Sequence, residues 1–324
     1  MVRIAVVPGD GIGREVIPVA WDVIAALHPE FEYVPIDVGY TRWQESGVAC
    51  TGEDMHMMKD ADAILFGAVT TPPDPCYQSV ILGIRQALDL YANLRPVQGA
   101  GFDIMIVREN SEGLYSGIEW REKDRACTVR VVSVAGSRRI AKVAVRLAET
   151  RNCLLTIGNK ANVIQSDHLF RDICCEEASN AGIRFETCYI DSLALDILLH
   201  PAHYGVIVTT NIFGDILSDV AGYLVGGLGM LPSANIGDSH ALFEPVHGSA
   251  PDIAGLGIAN PIAALRSGAM MLDHLGYPDD AVRIEDAIQR VSSRGIQTPD
   301  LGGSASTQQF GEAVRAELEV TEES

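Results

Sequence analysis

The stretch RIAVVPGDGIGREVIPVAWDVIAAL, residues 3–27, decides the fold class of this chain. The apolar run Ile4–Val7 predicts a buried strand, and the turn Gly9-Asp10-Gly11-Ile12-Gly13 follows it directly. From Glu15 to Leu27, apolar side chains recur at the spacing of an amphipathic helix. A strand, a tight turn and a helix in this order are the building unit of an α/β protein.

The same alternation continues outward along the 324 residues. Strand-like runs are separated by longer segments with helical spacing, which predicts an α/β protein with at least one partly parallel sheet. The further strands are predicted at Ala63–Phe66, Asp103–Val107, Val129–Val134, Leu154–Ile157 and Val206–Thr210. The further helices are predicted at Ser79–Leu90, Ser137–Glu149, Ser192–Leu199, Asp215–Leu224, Pro261–Leu275, Pro278–Ser292 and Thr307–Leu318.

Glycine and proline punctuate the chain at Pro96–Gly101 and again at Gly226–Gly237. These residues favour loops between compact segments. We therefore expect the chain to cross twice between two domains. One comprises residues 1–95 and 227–324, and the other comprises residues 96–226.

The formal charge is −19, from 24 basic and 43 acidic residues. Such a balance disfavours the phosphate backbone of nucleic acid and the surface of an anionic membrane as partners. No run approaches the roughly 18 apolar residues that a membrane span needs, and no signal-peptide pattern follows Met1. We expect a cytoplasmic protein with no nucleic-acid and no membrane partner.

The glycine loop at residues 9–13 has the spacing G-x-G-x-G, whereas the dinucleotide fingerprint is G-x-G-x-x-G. The sequence therefore argues against a Rossmann fold. On the residues alone, this loop is either a turn that contacts a ligand or a structural turn.

Three arginines, Arg85, Arg95 and Arg108, lie in or beside predicted elements of this acidic chain. Guanidinium groups bind carboxylates through two parallel hydrogen bonds, so together the three would suit a small polyanion. The alternative for each one is a surface ion pair.

Two carboxylates, Asp215 and Asp219, are four residues apart in the stretch NIFGDILSD at 211–219 and share one helix face. Like charges at this spacing repel unless a cation lies between them, and Mg²⁺ or Mn²⁺ accepts oxygen ligands. Asp191 is the candidate third ligand. The alternative is helix capping, with Asp191 at an N-cap and Asp215 in a first turn.

Two residues suit proton transfer. Lys160 follows a predicted strand, and a Lys near arginines and a metal ion has reason to lose its proton, as a general base must. A solvated Lys is the alternative. Tyr115, seven residues after Arg108, is the second candidate.

The loop HGSAPD at 247–252 combines small residues with an acidic end. Glycine, serine and alanine allow a ligand to approach the backbone closely. Asp252 suits both hydroxyls of an adenosine ribose and repels a 2′-phosphate, which favours NAD over NADP.

In order and spacing, these segments resemble the β-decarboxylating dehydrogenases, the family of isocitrate, homoisocitrate and isopropylmalate dehydrogenases. The resemblance covers essentially the whole chain. It implies an isopropylmalate dehydrogenase-like two-domain fold and a homodimer with shared active sites, with a tetramer left open. The segments that carry it are Gly9–Gly13, Asp89–Pro96, Arg108–Asn110 with Tyr115, Lys160–Val163, Asn211–Asp219, His247–Asp252 and Asp300–Gly303.

The resemblance also implies how substrate and metal are held. The substrate is a small molecule, a malate with a third substituent on C3. Its carboxylates are implied to bind Arg85, Arg95 and Arg108, and its substituent is implied to face Ser79 and Ile81. Mg²⁺ or Mn²⁺ is implied to bind Asp215, Asp219 and Asp191, the last of these from the neighbouring subunit.

The implied catalytic groups are Lys160, which also comes from the neighbouring subunit, and Tyr115, with Asp191 beside them. The resemblance implies that Lys160 helps remove the proton of the C2 hydroxyl while hydride passes to NAD. It also implies that Tyr115 protonates the enol that remains after carbon dioxide leaves. The implied NAD contacts are Ile12, Glu244, His247, Gly248, Ser249, Ala250, Asp252 and Asn260.

The substrate's third substituent is expected to face Ile81, one helical turn before Arg85. The segment Ser79–Ile84 carries no cation. A carboxylate buried there is costly, whereas an isopropyl group gains about 0.8 kcal/mol per buried CH₂. Ser79 matches the serine of family isocitrate enzymes, but Ile81 replaces their asparagine.

The sequence therefore favours 3-isopropylmalate, whose oxidation belongs to leucine biosynthesis. Homoisocitrate is the alternative, because the stretch ENSEGLY at 109–115 is more similar to isocitrate and homoisocitrate enzymes. Isocitrate, D-malate and a non-catalytic regulatory subunit are less favoured.

Overall fold

The computed structural model describes residues 1–74 and 76–320 of the chain. The chain divides into two compact units. Unit 1 comprises residues 1–88, 228–234 and the segment from 239 onward, and unit 2 comprises residues 89–227 and 235–238. The predicted α/β class is confirmed, because both units combine strands with helices.

Unit 1 contains four parallel strands: β1 (Arg3–Gly9), β2 (Glu32–Pro35), β3 (Ala63–Ala68) and β12 (Ala241–Pro245). They pair in the order β2-β1-β3-β12. Its helices are α1 (Gly13–Leu27), α2 (Tyr40–Ser46), α3 (Gly52–Lys59), α4 (Val80–Ala87), α9 (Ile262–His274), α10 (Pro278–Ser293) and α11 (Thr307–Val320). Buried apolar faces of α1 and α9 contact β1 and β12 and form its core.

Unit 2 is built on five strands: β4 (Ala92–Gly99), β5 (Phe102–Glu109), β8 (Leu155–Asn159), β9 (Phe185–Tyr189) and β10 (Val206–Thr209). Their order is β4-β5-β10-β8-β9, with only the β4–β5 pair antiparallel. Its helices are α5 (Val134–Thr150), α6 (Gln165–Ala181), α7 (Ile190–Leu199) and α8 (Asn211–Gly222). Ile140 of α5 and Phe170 of α6 belong to the buried core over these strands.

Two shorter features complete the described chain. Strands β6 (Glu119–Arg121) and β7 (Ala126–Thr128) form an antiparallel hairpin in unit 2. Strand β11 (Pro232–Ile236) is divided between the units at residues 234 and 235. Among the described residues, no helix combines the length and the apolarity that a membrane crossing requires.

The predicted strand Val129–Val134 is wrong. Val134 begins α5, and the hydroxyl of Ser133 accepts a hydrogen bond from the backbone N–H of Gly136 as an N-cap. This cap starts the helix three residues before the predicted start at Ser137, because it satisfies a backbone donor of the first turn. The apolar run before Ser133 is too short to show which element it belongs to.

Helix α4 is also shorter than predicted, since it ends at Ala87 and not at Leu90. Asp89 has φ +47°, a left-handed conformation that a helix cannot continue through. The chain then enters β4, which pairs with β5 along its whole length from Ala92 to Gly99. All of β4 therefore lies in unit 2, whereas the sequence placed the first crossing at residue 95.

Candidate active site

The two aspartates Asp215 and Asp219 lie on one face of α8 in unit 2. This helix begins at Asn211, after the N-cap position Thr210, so Asp215 is its fifth residue. The first turn of α8 contains no acidic residue, and the capping interpretation of Asp215 is therefore wrong. Both carboxylates remain partly exposed, at 33% for Asp215 and 53% for Asp219.

Two of the predicted arginines face these carboxylates from neighbouring antiparallel strands. Asn93 of β4 is paired with Arg108 of β5, so Arg95, two residues further along β4, points to the same face. Arg95 Nη2 lies 3.1 Å from Asp215 Oδ1, and Arg108 Nη1 lies 2.9 Å from the same oxygen. Arg95 Nη1 is 3.8 Å from Asp219 Oδ1.

Each guanidinium is held by further hydrogen bonds. Arg108, only 1% exposed, donates from Nε to the carbonyl of Asn211 (2.8 Å) and from Nη2 to its Oδ1 (3.0 Å). Arg95 donates to Oδ1 of Asn93 (2.7 Å) and to the hydroxyl of Ser218 (2.6 Å). These contacts fix the direction of both side chains before any ligand arrives.

Gly214 explains how Arg108 fits against α8. A Cβ at position 214 would lie 2.7 Å from both Cβ and Cγ of Arg108, too close for any side chain. Asn211, Gly214 and Ser218 were not predicted as site residues. Their spacing with Asp215 and Asp219 is i, i+3, i+4, i+7, i+8, the spacing of one helix face, and this signal was present in the sequence.

The carboxylates of Asp215 and Asp219 carry like charges and repel each other. Burial raises the pKa of Asp219 above its usual value, and the negative charge of Asp215 raises it further, while Arg95 and Arg108 lower it. A hard cation with oxygen ligands would suit this pair. Among the described residues of one chain, however, no three His, Cys, Asp or Glu side chains gather closely enough to hold a metal.

Tyr115 joins the same cluster. It lies in a 3-10 turn, Leu114–Ser116, and its hydroxyl donates to Asp215 Oδ2 at 3.2 Å. The guanidinium carbon of Arg108 is 5.8 Å from the centre of the Tyr115 ring. The structure thus brings together Arg95, Arg108, Tyr115, Asp215 and Asp219, five residues that the sequence singled out.

Lys160 and Asp191 form a second group in unit 2. Lys160 follows β8 and Asp191 follows β9, and these two strands are parallel neighbours. Lys160 Nζ donates to Asp191 Oδ1 at 2.5 Å, and this hydrogen bond is the main reason why the pKa of Asp191 is lowered. Asp191 is the second residue of α7, whose N-cap position is Tyr189, so the N-cap interpretation of Asp191 is wrong.

The glycine loop and the HGSAPD loop lie against each other in unit 1. The backbone N–H of Ile12 donates to the carbonyl of Ser249 at 2.9 Å, and the hydroxyls of Thr70 and Ser249 are 2.7 Å apart. The carboxylate of Asp10 accepts three backbone N–H groups, those of Tyr40, Thr41 and Thr70, at 2.8–2.9 Å. Asp10 therefore joins the glycine loop to the backbone of residues 40, 41 and 70.

His247, the first residue of the HGSAPD loop, carries a buried nitrogen without a hydrogen-bond partner among the described residues. Its Nδ1 lies 3.0 Å from the carbonyl of Gly248, and its Nε2 is buried without a hydrogen-bond partner among the described residues. Burial lowers the pKa of the His247 imidazole, so the ring is neutral near pH 7. A bound ligand with a polar group at this place would satisfy Nε2, which fits a cofactor here.

Among the remaining candidates of unit 1, Arg85, Glu244 and Asn260 have side-chain partners. Arg85 Nη2 lies 2.8 Å from Glu244 Oε1, and Arg85 Nε is buried without a hydrogen-bond partner among the described residues. Asn260 donates from Nδ2 to Asp300 at 2.9 Å and accepts the backbone N–H of Ile262, the first residue of α9. Gly248 and Asp252 are exposed, Ala250 has φ +40°, and Ser79 and Ile81 are half-buried.

Gly11 should be essential for the contact between the two loops. A Cβ at Gly11 would lie 2.0 Å from the carbonyl oxygen of Ser249, and Gly11 has φ +55°. We expect Gly11→Ala to push the loops apart and to weaken binding of NAD, the cofactor that the sequence leads us to expect here, by at least about tenfold, measured by titration calorimetry. Gly47→Ala is the matched control, because Gly47 has φ +77° but open space around it. Equal losses in both variants would contradict a role of this loop contact in cofactor binding.

The match to known proteins agrees with this arrangement. The family model described as isocitrate/isopropylmalate dehydrogenase matches residues 3–314. The chain belongs to this family and is a decarboxylating dehydrogenase, an oxidoreductase. Members of the family generally depend on NAD(P) and on a divalent metal.

Individual relatives carry different substrate names. An isocitrate/homoisocitrate dehydrogenase of Thermus thermophilus is 46% identical over 96% of this chain and 97% of that protein. A 3-isopropylmalate dehydrogenase of Archaeoglobus fulgidus is 42% identical over 98% of this chain and all of that protein. The crystal structure of isocitrate dehydrogenase from Methylococcus capsulatus superposes with a TM-score of 0.94 at 39% identity, over 98% of this chain and 99% of that one.

Proposed function

We propose that this enzyme oxidises and decarboxylates 3-isopropylmalate to 4-methyl-2-oxopentanoate, with NAD as oxidant and Mg²⁺ or Mn²⁺ as metal. The observation that carries the choice of substrate is the apolar face of α4. Ile81 is half-buried one helical turn before Arg85, and residues 79–84 offer no cation. A branched alkyl substituent gains from contact with Ile81, whereas a carboxylate there finds no cation among residues 79–84.

The order of the chemistry follows from the substrate. A β-hydroxy acid does not readily lose its carboxylate, but a β-keto acid does, because the electrons of the breaking C–C bond flow into the ketone. Oxidation at C2 therefore precedes loss of carbon dioxide. When bound, NAD accepts the C2 hydride, and the metal stabilises negative charge that develops on the C2 oxygen.

The protein's own groups bind the substrate and move its protons. Arg95 and Arg108, held in place by Asn93, Ser218 and Asn211, pair with the malate carboxylates. Lys160 accepts the proton of the C2 hydroxyl in the oxidation step. After the bond between C3 and the carboxylate breaks, the Tyr115 hydroxyl donates a proton to C3 and completes the product.

A homodimer with shared sites is part of this proposal. Lys160 and Asp191 pair with each other, and a single chain gathers no metal-binding trio among its described residues. Large apolar side chains on α7, α8 and the β6–β7 hairpin are at least half exposed, which suits a covered surface. These are Leu195, Leu199, Ile216 and Trp120. We infer that a second copy covers this surface and supplies Lys160 and Asp191 to its neighbour.

Homoisocitrate is the second candidate substrate. The Thermus relative named above is an isocitrate/homoisocitrate dehydrogenase. Hydroxyl groups of Thr71 and Ser79 lie 3.3 Å apart at the start of α4 and would suit a polar substituent. A longer acid chain would carry its terminal carboxylate beyond Ile81.

One assay separates these candidates. Purified protein with Mg²⁺ and NAD is given 3-isopropylmalate, homoisocitrate, isocitrate or D-malate in turn, and NADH absorbance is followed. We expect the highest kcat/KM for 3-isopropylmalate. A higher value for homoisocitrate would replace our substrate by the second candidate, and no NADH from any of the four would favour a non-catalytic subunit.

The cofactor preference gives a separate prediction. Asp252 is exposed at the end of the HGSAPD loop, where its charge repels a 2′-phosphate. We expect the double variant Asp252→Lys, Ile253→Tyr to shift the ratio of kcat/KM for NAD over NADP by about 10²-fold or more toward NADP, since a repulsive contact becomes an attractive one. Asp273→Lys, which changes another exposed acid of unit 1, should leave the ratio unchanged. A wild-type protein that already prefers NADP would contradict the role of Asp252.

A further inference from the structure

Arg130 of unit 2 lies outside any strand or helix and makes directed contacts with Ser166, Asp167 and Thr210. Its Nη1 donates to the hydroxyl of Ser166 at 2.7 Å, and its Nη2 donates to the hydroxyl of Thr210 at 2.8 Å. The guanidinium carbon lies 5.2 Å from the centre of the Phe213 ring. The side chain is 13% exposed, so these contacts form largely away from water.

The partner of Arg130 is the carboxylate of Asp167, the third residue of α6. Arg130 Nη2 lies 2.5 Å from Asp167 Oδ1, and Asp167 is fully buried. The other carboxylate oxygen, Oδ2, accepts the backbone N–H of Lys160 at 2.6 Å. One buried ion pair therefore holds the main chain of the residue that we assign as the base.

The same guanidinium reaches the helix that carries the two aspartates. Thr210 occupies the N-cap position of α8, and Phe213 lies in its first turn. The next residue after Arg130, Val131, also forms two backbone hydrogen bonds with Gly113, at 2.8 and 3.1 Å, two residues before Tyr115. Arg130 and its neighbour thus contact the segments that carry Asp215 and Tyr115, and Asp167, the partner of Arg130, holds the backbone of Lys160.

We propose that the Arg130–Asp167 pair is a positioning device that sets Lys160 and α8 relative to each other. Burial of two charges stabilises a fold weakly at best, because desolvation offsets much of their attraction. A pair that only filled space would have no need for directed bonds to Lys160 N–H and to Thr210. Neither residue touches the substrate in this proposal, so both are positioning residues.

The pair has a further consequence in the dimer, and this step rests on the proposed function. Lys160 then serves the partner's active site, whereas Asp215 serves the site of its own subunit. Arg130 pairs with Asp167, which holds the backbone N–H of Lys160, and it donates to Thr210 at the start of α8, the helix of Asp215. One guanidinium therefore affects the residues that its own subunit supplies to each of the two active sites. Loss of Arg130 in one subunit is therefore expected to impair both sites of the dimer.

The test starts with homodimers. We expect Arg130→Met to lower kcat per folded dimer by about 10²-fold, because a displacement of about 1 Å at a catalytic group has an effect of this size. The KM for NAD should not change, and Arg130→Lys should recover part of kcat. Arg138→Met is the matched control, because Arg138 joins α5 to Glu176 and Glu177 of α6 without contacting Lys160 or α8. A lower melting temperature with unchanged kcat per folded dimer would overturn the proposal.

Heterodimers purified through two affinity tags separate the effect of Arg130 on the site that uses Asp215 of its own subunit from its effect on the site that uses Lys160 of its own subunit. Pairing Arg130→Met with Asp215→Asn leaves one competent site, which uses Asp215 of the Arg130→Met subunit. Pairing the double variant Arg130→Met, Asp215→Asn with wild type leaves one site that uses Lys160 of the altered subunit. We expect both heterodimers to be about tenfold or more slower than their counterparts with Arg130 intact. If either heterodimer were as fast as its counterpart, Arg130 would not act on both active sites and the double role would be overturned.

A readout without turnover keeps this proposal separate from the assigned reaction. The chain has four lysines, so labelling with an amine-reactive reagent can be followed at each by mass spectrometry. Arg130→Met should raise the labelling rate of Lys160 relative to the exposed Lys123 and Lys142, because Asp167, which holds the backbone N–H of Lys160, loses its ion-pair partner. An unchanged relative rate would contradict the proposal even if no substrate were turned over.

Discussion

Homodimers of Lys160→Met and of Asp215→Asn should each lose activity by about 10²–10⁴-fold, and a mixture of the two should regain about a quarter of the wild-type rate. In a mixed dimer with shared sites, one site receives both altered residues and the other receives neither. Random pairing makes half of the dimers mixed, and each mixed dimer has one competent site of two. The loss in the homodimers, together with its partial recovery in the mixture, is the largest effect that we expect from any experiment on this protein.

The measurement is NADH formation after subunits are exchanged in mild denaturant and returned to buffer. Two affinity tags report how much mixed dimer has formed, and self-mixed Lys160→Met provides the baseline. If each site were built from one chain, both sites of the mixed dimer would carry one altered residue. Mixed dimers that form in full but stay at the baseline rate would therefore refute a shared site.

The sequence predicted that Asp215 and Asp219 lie together, because their relation depends only on short-range geometry. Asp215 and Asp219 are four residues apart, and a helix brings such residues onto one face whatever surrounds it. Arg108 is the penultimate residue of β5, next to the predicted strand Asp103–Val107, and Tyr115 follows in a short 3-10 turn. Helix start points were predicted less well: α8 begins at Asn211 and not at Asp215, which removed the capping alternative.

The supports of the site could not be predicted in the same way. Asn93 and Arg108 are paired across β4 and β5, a register that depends on a hairpin absent from the predicted elements. Asp167 holds the N–H of Lys160 from a helix, α6, that was not among the predicted ones. Its partner Arg130 lies in a segment predicted as strand. Such contacts depend on tertiary packing, which the periodicity and spacing of a sequence do not report.

Arg108 should tolerate no replacement, and this is the second large effect that we expect. Its guanidinium donates to two oxygens of Asn211 and pairs with Asp215, and Gly214 leaves room for its stem. Truncating one partner of a buried, hydrogen-bonded charge pair between protein and ligand costs about 2–5 kcal/mol of binding free energy, and about 3 kcal/mol corresponds to about 10²-fold. We therefore expect Arg108→Met to lower kcat/KM for the substituted malate by at least this factor.

Arg108→Lys discriminates between charge and shape. Lysine keeps the positive charge but has a single ammonium group, so it cannot bind Asn211 and Asp215 and still offer a planar pair of donors to a carboxylate. We expect it to recover less than tenfold of the loss in Arg108→Met, with NAD binding by calorimetry unchanged in both, because the assigned NAD contacts lie in unit 1. Arg125→Lys is the control, since Arg125 is exposed and pairs with Glu122 three residues away. Near wild-type turnover in Arg108→Lys would mean that the substrate senses only a positive charge at this position, and the two-point recognition of its carboxylate by Arg108 would be wrong.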